Sequence, residues 1–378
     1  MRNVVVAGYA RSPFHLAGKG ALARVRPDDL AAQVIRGLIQ QTGVKAEDIE
    51  DIVLGCAFPE GEQGFNIARL IGLLADLPLS VGGMTVNRFC GSSMSSVHIA
   101  AGQIQLGAGE AFICAGVESM SRVPMMGFNP LPNPELAKKS AAYMGMGDTA
   151  ENVATKYQIT RAQQEAFAVA SQDKAAAAIA AGKLEAEIVQ NTTKAGVVDK
   201  DGTPRAGTTT ETLAGLKPAF SQDGTVTAGT SSPLTDGASA ILVTSEDYAR
   251  AHGLPILARI KSVAVSGCQP EIMGIGPVEA SRKALQRAGL SVDQLDVVEL
   301  NEAFASQSLA CISDLGLDQS KVNLDGGAIA IGHPLGATGA RIVGKAAALL
   351  KREGGSYALA TQCIGGGQGI ATVLEAAE

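Results

Sequence analysis

"AAQVIRGLIQQTGVKAEDIEDIVLG" (31–55) and "ASRKALQRAGLSVDQLDVVEL" (280–300) have the same layout. Each is an apolar helix pattern, then a glycine (Gly43, Gly289), a short acidic turn, and an aspartate (Asp51, Asp296) opening an apolar strand. A repeat of this kind changes the whole reading of a fold, because each copy is one supersecondary unit. Cys90 and His333 follow the two aspartates at nearly equal separations, and each precedes a Gly/Ser/Ala-rich helix pattern. The duplication predicts two similar βα lobes related by a pseudo-twofold axis, with Cys90 and His333 at matching helix starts facing one cleft. The competing reading is chance similarity between generic βα sequences.

Outward from the repeat, apolar runs alternate with helical patterns, which is the signature of an α/β fold around a buried sheet. Strands are expected at 4–8, 51–55, 111–115, 296–300 and 357–361, and helices at 28–42, 92–106, 280–288 and 339–351. The N-terminal lobe is expected over 1–117, completed by about 236–256, and the C-terminal lobe over 257–378. Between them, 118–235 shifts toward Pro, Asn, Met and Ala and reads as an inserted loop domain. Within it, 129–140 reads as an extended loop and 149–189 as two helices, with Thr149 and Thr160 as N-caps. The polar segment 225–243 then leads into another strand.

Composition narrows the function. With 378 residues, 46% hydrophobic and 18% charged, the chain has ample material for buried cores. A net charge of -6 argues against a nucleic-acid partner, which needs clustered positive surface. No run approaches the ~18 apolar residues of a membrane span, and the apolar start lacks the pattern of a secretory leader. Six cysteines (56, 90, 114, 268, 311, 363) are scattered singly, so reduced thiols and a cytoplasmic setting are expected.

Four blocks carry candidate chemistry. In "VNRFCGSSMSSVHIA" (86–100), Cys90 precedes small residues that open a helix, where unpaired N–H groups and the helix dipole are expected to lower a thiol pKa. Taken alone, such a cysteine reads more readily as a packed core thiol. In "NLDGGAIAIGHPLGATGAR" (323–341), His333 sits on glycine-shaped backbone and suits a base for a thiol; no Gly-Lys-Ser/Thr follows to make a phosphate loop. In "ATQCIGGGQGIATVLE" (360–375), Cys363 ends a strand before glycines whose N–H groups could converge on an oxyanion. No closely spaced ligand pair supports a metal. In "ELNEAFASQSL" (299–309), Asn301 and Glu302 either orient a water or cap the next helix.

Asn87 to Ser93, "NEAFA" (301–305), "GGAIAIGHPLGATGAR" (326–341) and "CIGGGQG" (363–369) together resemble the signatures of the thiolase family, in its order and approximate spacing. The resemblance implies a five-layer αβαβα thiolase-like fold with an inserted loop domain. It also implies that Cys90 takes up an acyl group, that His333 accepts the thiol proton, and that Cys363 is acid and base at the α-carbon. His333 with a water held by Asn301 would form one oxyanion hole, and the N–H groups of Cys90 and Gly365 another. Coenzyme A and acyl-CoA would enter as substrates, with no permanently bound cofactor. Lys217 falls where relatives carry a basic residue near the nucleotide, and Ser232 where a serine contacts pantetheine.

Tyr143-Met144-Gly145 stands where acetoacetyl-specific members show His-Met-Gly, and the insertion looks shortened between 132 and 143. The reading therefore favours the degradative branch of fatty-acid β-oxidation, with the biosynthetic acetoacetyl branch as the alternative. A decarboxylating condensing enzyme and a non-catalytic acyl-CoA or lipid carrier are the rivals outside the family's reaction. The resemblance further implies a homodimer or homotetramer, and leaves open a multifunctional β-oxidation partner.

Overall fold

The computed structural model describes residues 2–377; Met1 and Glu378, the outer ends of the two expected lobes, lie outside the described residues. The main sheet runs Val297–Leu300, Tyr357–Ile364, Gln368–Glu375, Ala258–Gly267, Val4–Arg11, Thr235–Ser245, Ala111–Ser119, Ile49–Gly55, Gly82–Val86. Its middle join is thin: Val4–Arg11 and Ala258–Gly267 meet only at Val5↔Arg259 and Val6↔Ala258.

The same series of pairings repeats on both sides of that join. Val4–Arg11 pairs antiparallel with Thr235–Ser245, which pairs antiparallel with Ala111–Ser119, which pairs parallel with Ile49–Gly55. In the other half, Ala258–Gly267 pairs antiparallel with Gln368–Glu375, that strand antiparallel with Tyr357–Ile364, and that one parallel with Val297–Leu300. Even the next position corresponds: Gly82–Val86 lies parallel to Ile49–Gly55, and Val322 makes a parallel bridge to Val298. Chance similarity does not reproduce a pairing order, so the repeat is structural.

Strand alternation sends side chains to two faces, and each face is covered. On the outside of the first half, Leu30, Ile35 and Leu38 of helix Pro27–Thr42 and Ile71 of helix Ile67–Leu74 pack on Leu54, Ile113 and Leu242. On the outside of the second half, Ala284 and Leu285 of Gly276–Ala288 and Ile312 of Ala305–Leu315 pack on Val298, Leu300 and Val373. Helices Ser92–Leu106 and Leu335–Glu353 fill the space between, where Met94, Val97, Ile342 and Val343 meet Ile241 and Val243 of one half and Ile370 and Leu374 of the other. The result is the expected five layers. A helix flanked on all sides must be buried all round, and Leu335–Glu353 is buried almost without interruption from Leu335 to Leu350. Its charged positions are paired: Lys345 with Glu187 at 2.9 Å and Asp325 at 2.7 Å, Arg341 with Glu299 at 3.3 Å.

The insertion enters at one point of this duplication. Strands Tyr357–Ile364 and Gln368–Glu375 are joined by Gly365, Gly366 and Gly367, with φ of 81° at Gly366 and 85° at Gly367, values that favour glycine. The corresponding strands of the first half, Ala111–Ser119 and Thr235–Ser245, are joined instead by the whole inserted segment.

Several expected boundaries shift. The 280–288 helix begins at Gly276, and the 339–351 helix spans Leu335–Glu353, much nearer His333. The 111–115 strand runs to Ser119. The loop expected at 129–140 contains a short helix, Pro134–Lys139, because Asn133 caps it by accepting the N–H groups of Glu135 and Leu136. Thr160 does cap Arg161–Ala180, but Thr149 lies inside helix Met146–Lys156, whose N-cap is Gly145; its hydroxyl bonds back to the Met146 carbonyl at 2.6 Å.

Candidate active site

Cys90 occupies the Phe89–Gly91 turn just ahead of Ser92–Leu106. Phe89 is in the left-handed region, φ 43°, a costly conformation for an aromatic residue that survives only where its surroundings hold it. Asn87 Oδ1 accepts the Phe89 N–H at 2.8 Å, and Ser92 Oγ accepts from Arg88 N–H and donates to the Phe89 carbonyl at 2.6 Å. Gln362, one residue before Cys363, donates to the Cys90 carbonyl.

The helix-start argument for an acidic thiol is overturned. Burial pushes the Cys90 thiol up to about 11; the N–H groups of Gly365 and of Cys90 itself pull it down, and the Glu118 charge pushes it up again. Desolvation outweighs the two donors. A thiol so held needs a base at the moment of attack, and the donors around it suit a charge that develops on an attached carbonyl.

His333 follows Gly332, whose φ of 105° turns the chain so that the imidazole enters the lobe junction. Its N–H donates to Thr235 Oγ1 at 3.1 Å, Nδ1 lies 2.6 Å from Thr338 Oγ1, and Nε2 lies 3.5 Å from Asn301 Nδ2. With the Nδ1 proton assigned to the Thr338 bond, Nε2 is the acceptor and receives the long bond from Asn301 Nδ2. Burial, then the Arg341 charge, lowers the pKa to about 3, so the ring is neutral at ordinary pH and its lone pair is unprotonated but weakly basic until a compensating charge develops beside it. Asn301 is held by its N–H to the Thr361 carbonyl at 3.0 Å, and its Oδ1 is buried without a partner. The helix-cap alternative fails: Phe304 is the N-cap of Ala305–Leu315, and Glu302 bonds Ser171, Asn323 and the Ile329 N–H.

Cys363 is 1% exposed and packs with Met146, Ala303 and Phe304. Burial first, and the nearby Cys90 charge second, hold its thiol well above the ordinary value. A cavity of about 330 Å³ is lined by Cys90, Gly365, Tyr143, Met144, Met146 and Leu335, and also by Phe58, Phe89, Met125, Met126 and Leu131. Leu335 brings the His333 segment to this cavity, and Met146 brings the Cys363 cluster. Ser232 is half-buried and adjoins from the side, its N–H on the Ala303 carbonyl at 3.0 Å. Lys217 does not line the cavity. It is exposed, just past a turn that Arg161 anchors by donating to the carbonyls of Leu213, Ala214 and Leu216.

Duplicated βα halves, a thiol lining a cavity with a second thiol in its electrostatic reach, and a neutral imidazole 3.5 Å from an amide are the parts of an acyltransferase. The profile of the thiolase N-terminal domain matches residues 4–247, and that of the thiolase C-terminal domain matches 254–376. The chain belongs to the thiolase family. It is 47% identical over 389 aligned positions to the 3-ketoacyl-CoA thiolase of Bacillus subtilis, covering 99% of this chain and 100% of that one. It is 49% identical over 388 positions to that of Shewanella frigidimarina, with the same coverage. Among solved structures, human mitochondrial 3-ketoacyl-CoA thiolase in complex with CoA superposes with a TM-score of 0.91 at 38% identity, covering 100% of this chain and 98% of that chain.

Proposed function

We propose that the chain is a 3-ketoacyl-CoA thiolase, cleaving 3-ketoacyl-CoA with coenzyme A to acetyl-CoA and a shortened acyl-CoA. One observation carries the assignment of roles: Cys90 lines an apolar cavity with N–H donors of Gly365 and of its own residue on its sulfur, and the buried Cys363 thiol lies behind that wall within electrostatic reach of Cys90. Cys90 Sγ attacks the 3-keto carbon while His333 Nε2 takes the thiol proton. The C2–C3 bond then breaks, its electron pair passes to the enolate of acetyl-CoA, and the Cys363 thiol protonates C2. Coenzyme A gives its thiol proton to the Cys363 thiolate and attacks the Cys90 thioester; the shortened acyl-CoA leaves, and the expelled Cys90 sulfur takes its proton back from His333, restoring both groups. The N–H groups of Cys90 and Gly365 serve the oxyanion on the acyl carbonyl, and His333 with an Asn301-held water serves the enolate oxygen.

We assign residues 118–235 as the domain that binds coenzyme A, between lobes 1–117 with 236–256 and 257–378. Ser232 faces the pantetheine and Lys217 the nucleotide phosphates, with exposure that suits a group gripped near water. Tyr143 and Met144 face the acyl chain. The Tyr143 hydroxyl accepts the Asn133 N–H at 3.0 Å, and the Met144 sulfur accepts from Asn152 at 3.3 Å, so both side chains are fixed as cavity wall. That apolar wall favours longer acyl groups. The test is kcat/KM for 3-ketooctanoyl-CoA against acetoacetyl-CoA: a ratio above about 10 is expected from the added buried methylenes, at roughly 0.8 kcal/mol each when only part of the chain is buried, and a ratio below one refutes the degradative reading.

The protein is also read as a cytoplasmic homodimer or homotetramer. All six cysteines are unbonded, and no described helix is long and apolar enough to cross a membrane. Edge strand Gly82–Val86 is half-buried throughout, with Phe65 92% and Leu79 79% exposed, a surface that an identical copy would cover. Light scattering that reads a single chain mass would contradict it.

A further inference from the structure

Glu118 lies near the end of strand Ala111–Ser119, is 1% exposed, and has no part in the chemistry described above. Its Oε2 accepts the N–H groups of Ala57 at 2.8 Å and Gly336 at 2.9 Å. Its Oε1 accepts the Phe58 N–H at 3.2 Å, Gln63 Nε2 at 2.8 Å and, more weakly, the Cys56 thiol at 3.7 Å. Gln63 is fixed in turn, its Oε1 accepting the Ser119 N–H at 2.7 Å. A carboxylate has about four acceptor sites, and here all are engaged. Burial raises the Glu118 carboxyl above its ordinary value, and these donors offset only part of that rise.

The donors come from both halves of the chain. Gly336 is in the first turn of Leu335–Glu353, three residues after His333. Phe58 lines the cavity, its ring 5.8 Å from that of Phe89, the residue before Cys90. The approach is backbone to backbone: a Cβ on Gly336 would stand 2.8 Å from Glu118 Oε2 and from Cys56 Cα, and one on Gly116 would strike the Gly336 carbonyl. Glycine at both positions therefore lets the strand end and the helix start close on each other, and Glu118 ties the contact.

We propose that Glu118 is a positioning residue for the reaction at Cys90, a bridge that holds the first turn of the His333 helix against the Phe58–Phe89 wall beside the thiol. The proposal rests on the thiolase reading above. Glu118→Gln keeps the shape but turns a donor toward backbone N–H groups and removes a negative charge near Cys90. Glu118→Asp keeps the charge but is too short to span both sides.

The experiment measures kcat, KM and the pH dependence of Cys90 alkylation by iodoacetamide in the parent and both variants. A misplacement of about 1 Å can cost 10²-fold, so kcat should fall about 10²-fold in Glu118→Gln and at least about 10-fold in Glu118→Asp, with KM for coenzyme A within about threefold. The Glu118 charge raises the thiol pKa, so its removal should move the alkylation midpoint lower in Glu118→Gln and leave it in place in Glu118→Asp. Cys90 then becomes easier to alkylate as the enzyme slows. Turnover within about threefold of the parent in either folded variant, or equal midpoint shifts in both, overturns the proposal. Should Glu118→Gln fail to fold, the kcat and KM of Glu118→Asp decide it. A parent without thiolysis refutes the function reading instead, and the alkylation profiles still test the bridge.

Discussion

Cys90→Ser is expected to abolish the acyl-enzyme and to lower thiolysis by at least about 10⁴-fold, the scale seen when a nucleophile is removed from a unit that acts together. The fold should be intact, because serine fits the same turn and the side chains that brace it, Asn87 and Ser92, stay in place. What is lost is the nucleophile. An alkoxide is far harder to generate than a thiolate, and here even the thiol is held up to about 11 by burial. The residual activity belongs to the donors and the binding site. Intact mass after mixing with acetoacetyl-CoA reads this directly: the parent gains an acetyl group and the variant does not. An adduct that persists in Cys90→Ser would place the acyl group on another residue and end the mechanism.

Cys363→Ala should separate the two halves of the reaction. Acyl transfer from acyl-CoA to Cys90 is expected to survive within about tenfold, because coenzyme A can depart as its thiolate without the Cys363 proton, while α-proton exchange of acetyl-CoA in heavy water, which has no such route, falls by about 10²–10⁴, the range for loss of a general base. The change removes only a sulfur from the pocket formed by Met146, Ala303 and Phe304, so the backbone that presents Gly365 remains. It also removes a neighbour whose anion would compete with Cys90, since each thiol disfavours ionisation of the other. Exchange at the parent rate would assign the α-proton to His333 or to a water instead.

The duplication was legible because its strongest marks are conformational. Gly43 and Gly289 both end their helices in the left-handed region, with φ of 73° and 69°, where glycine alone is unstrained, so the two copies carry the same punctuation. Cys90, His333 and Cys363 stood out for a similar reason, each beside glycines that the close packing of the lobes requires. The direction of the Cys90 pKa was not legible. A helix start is a local feature, whereas the desolvation that overrides it comes from distant segments. Thr338 escaped because His333 lies outside the helix, so no helical spacing links the two; only the folded chain brings its hydroxyl to 2.6 Å from Nδ1. Phe58, Met125 and Leu131 carry no local mark of a binding wall, since loop residues are assigned to a cavity only by tertiary packing. Glu118 likewise carries no local mark, because its partners Ala57, Phe58, Gln63 and, from the far half, Gly336 are distant in the chain.

The single opening between strands Ala111–Ser119 and Thr235–Ser245 has a consequence for how such a protein can change. In the binding mode proposed above, most of the grip on the cargo's tail hangs from this one opening, whereas the sister turn is closed by three glycines after Cys363. Changes to the exposed parts of the hanging portion, away from Glu187 and Asp201 that pair with Arg11 of the first strand, leave the sheet pairings in place. Preference among cargoes can thus wander through generations while the bond-making centre stands still.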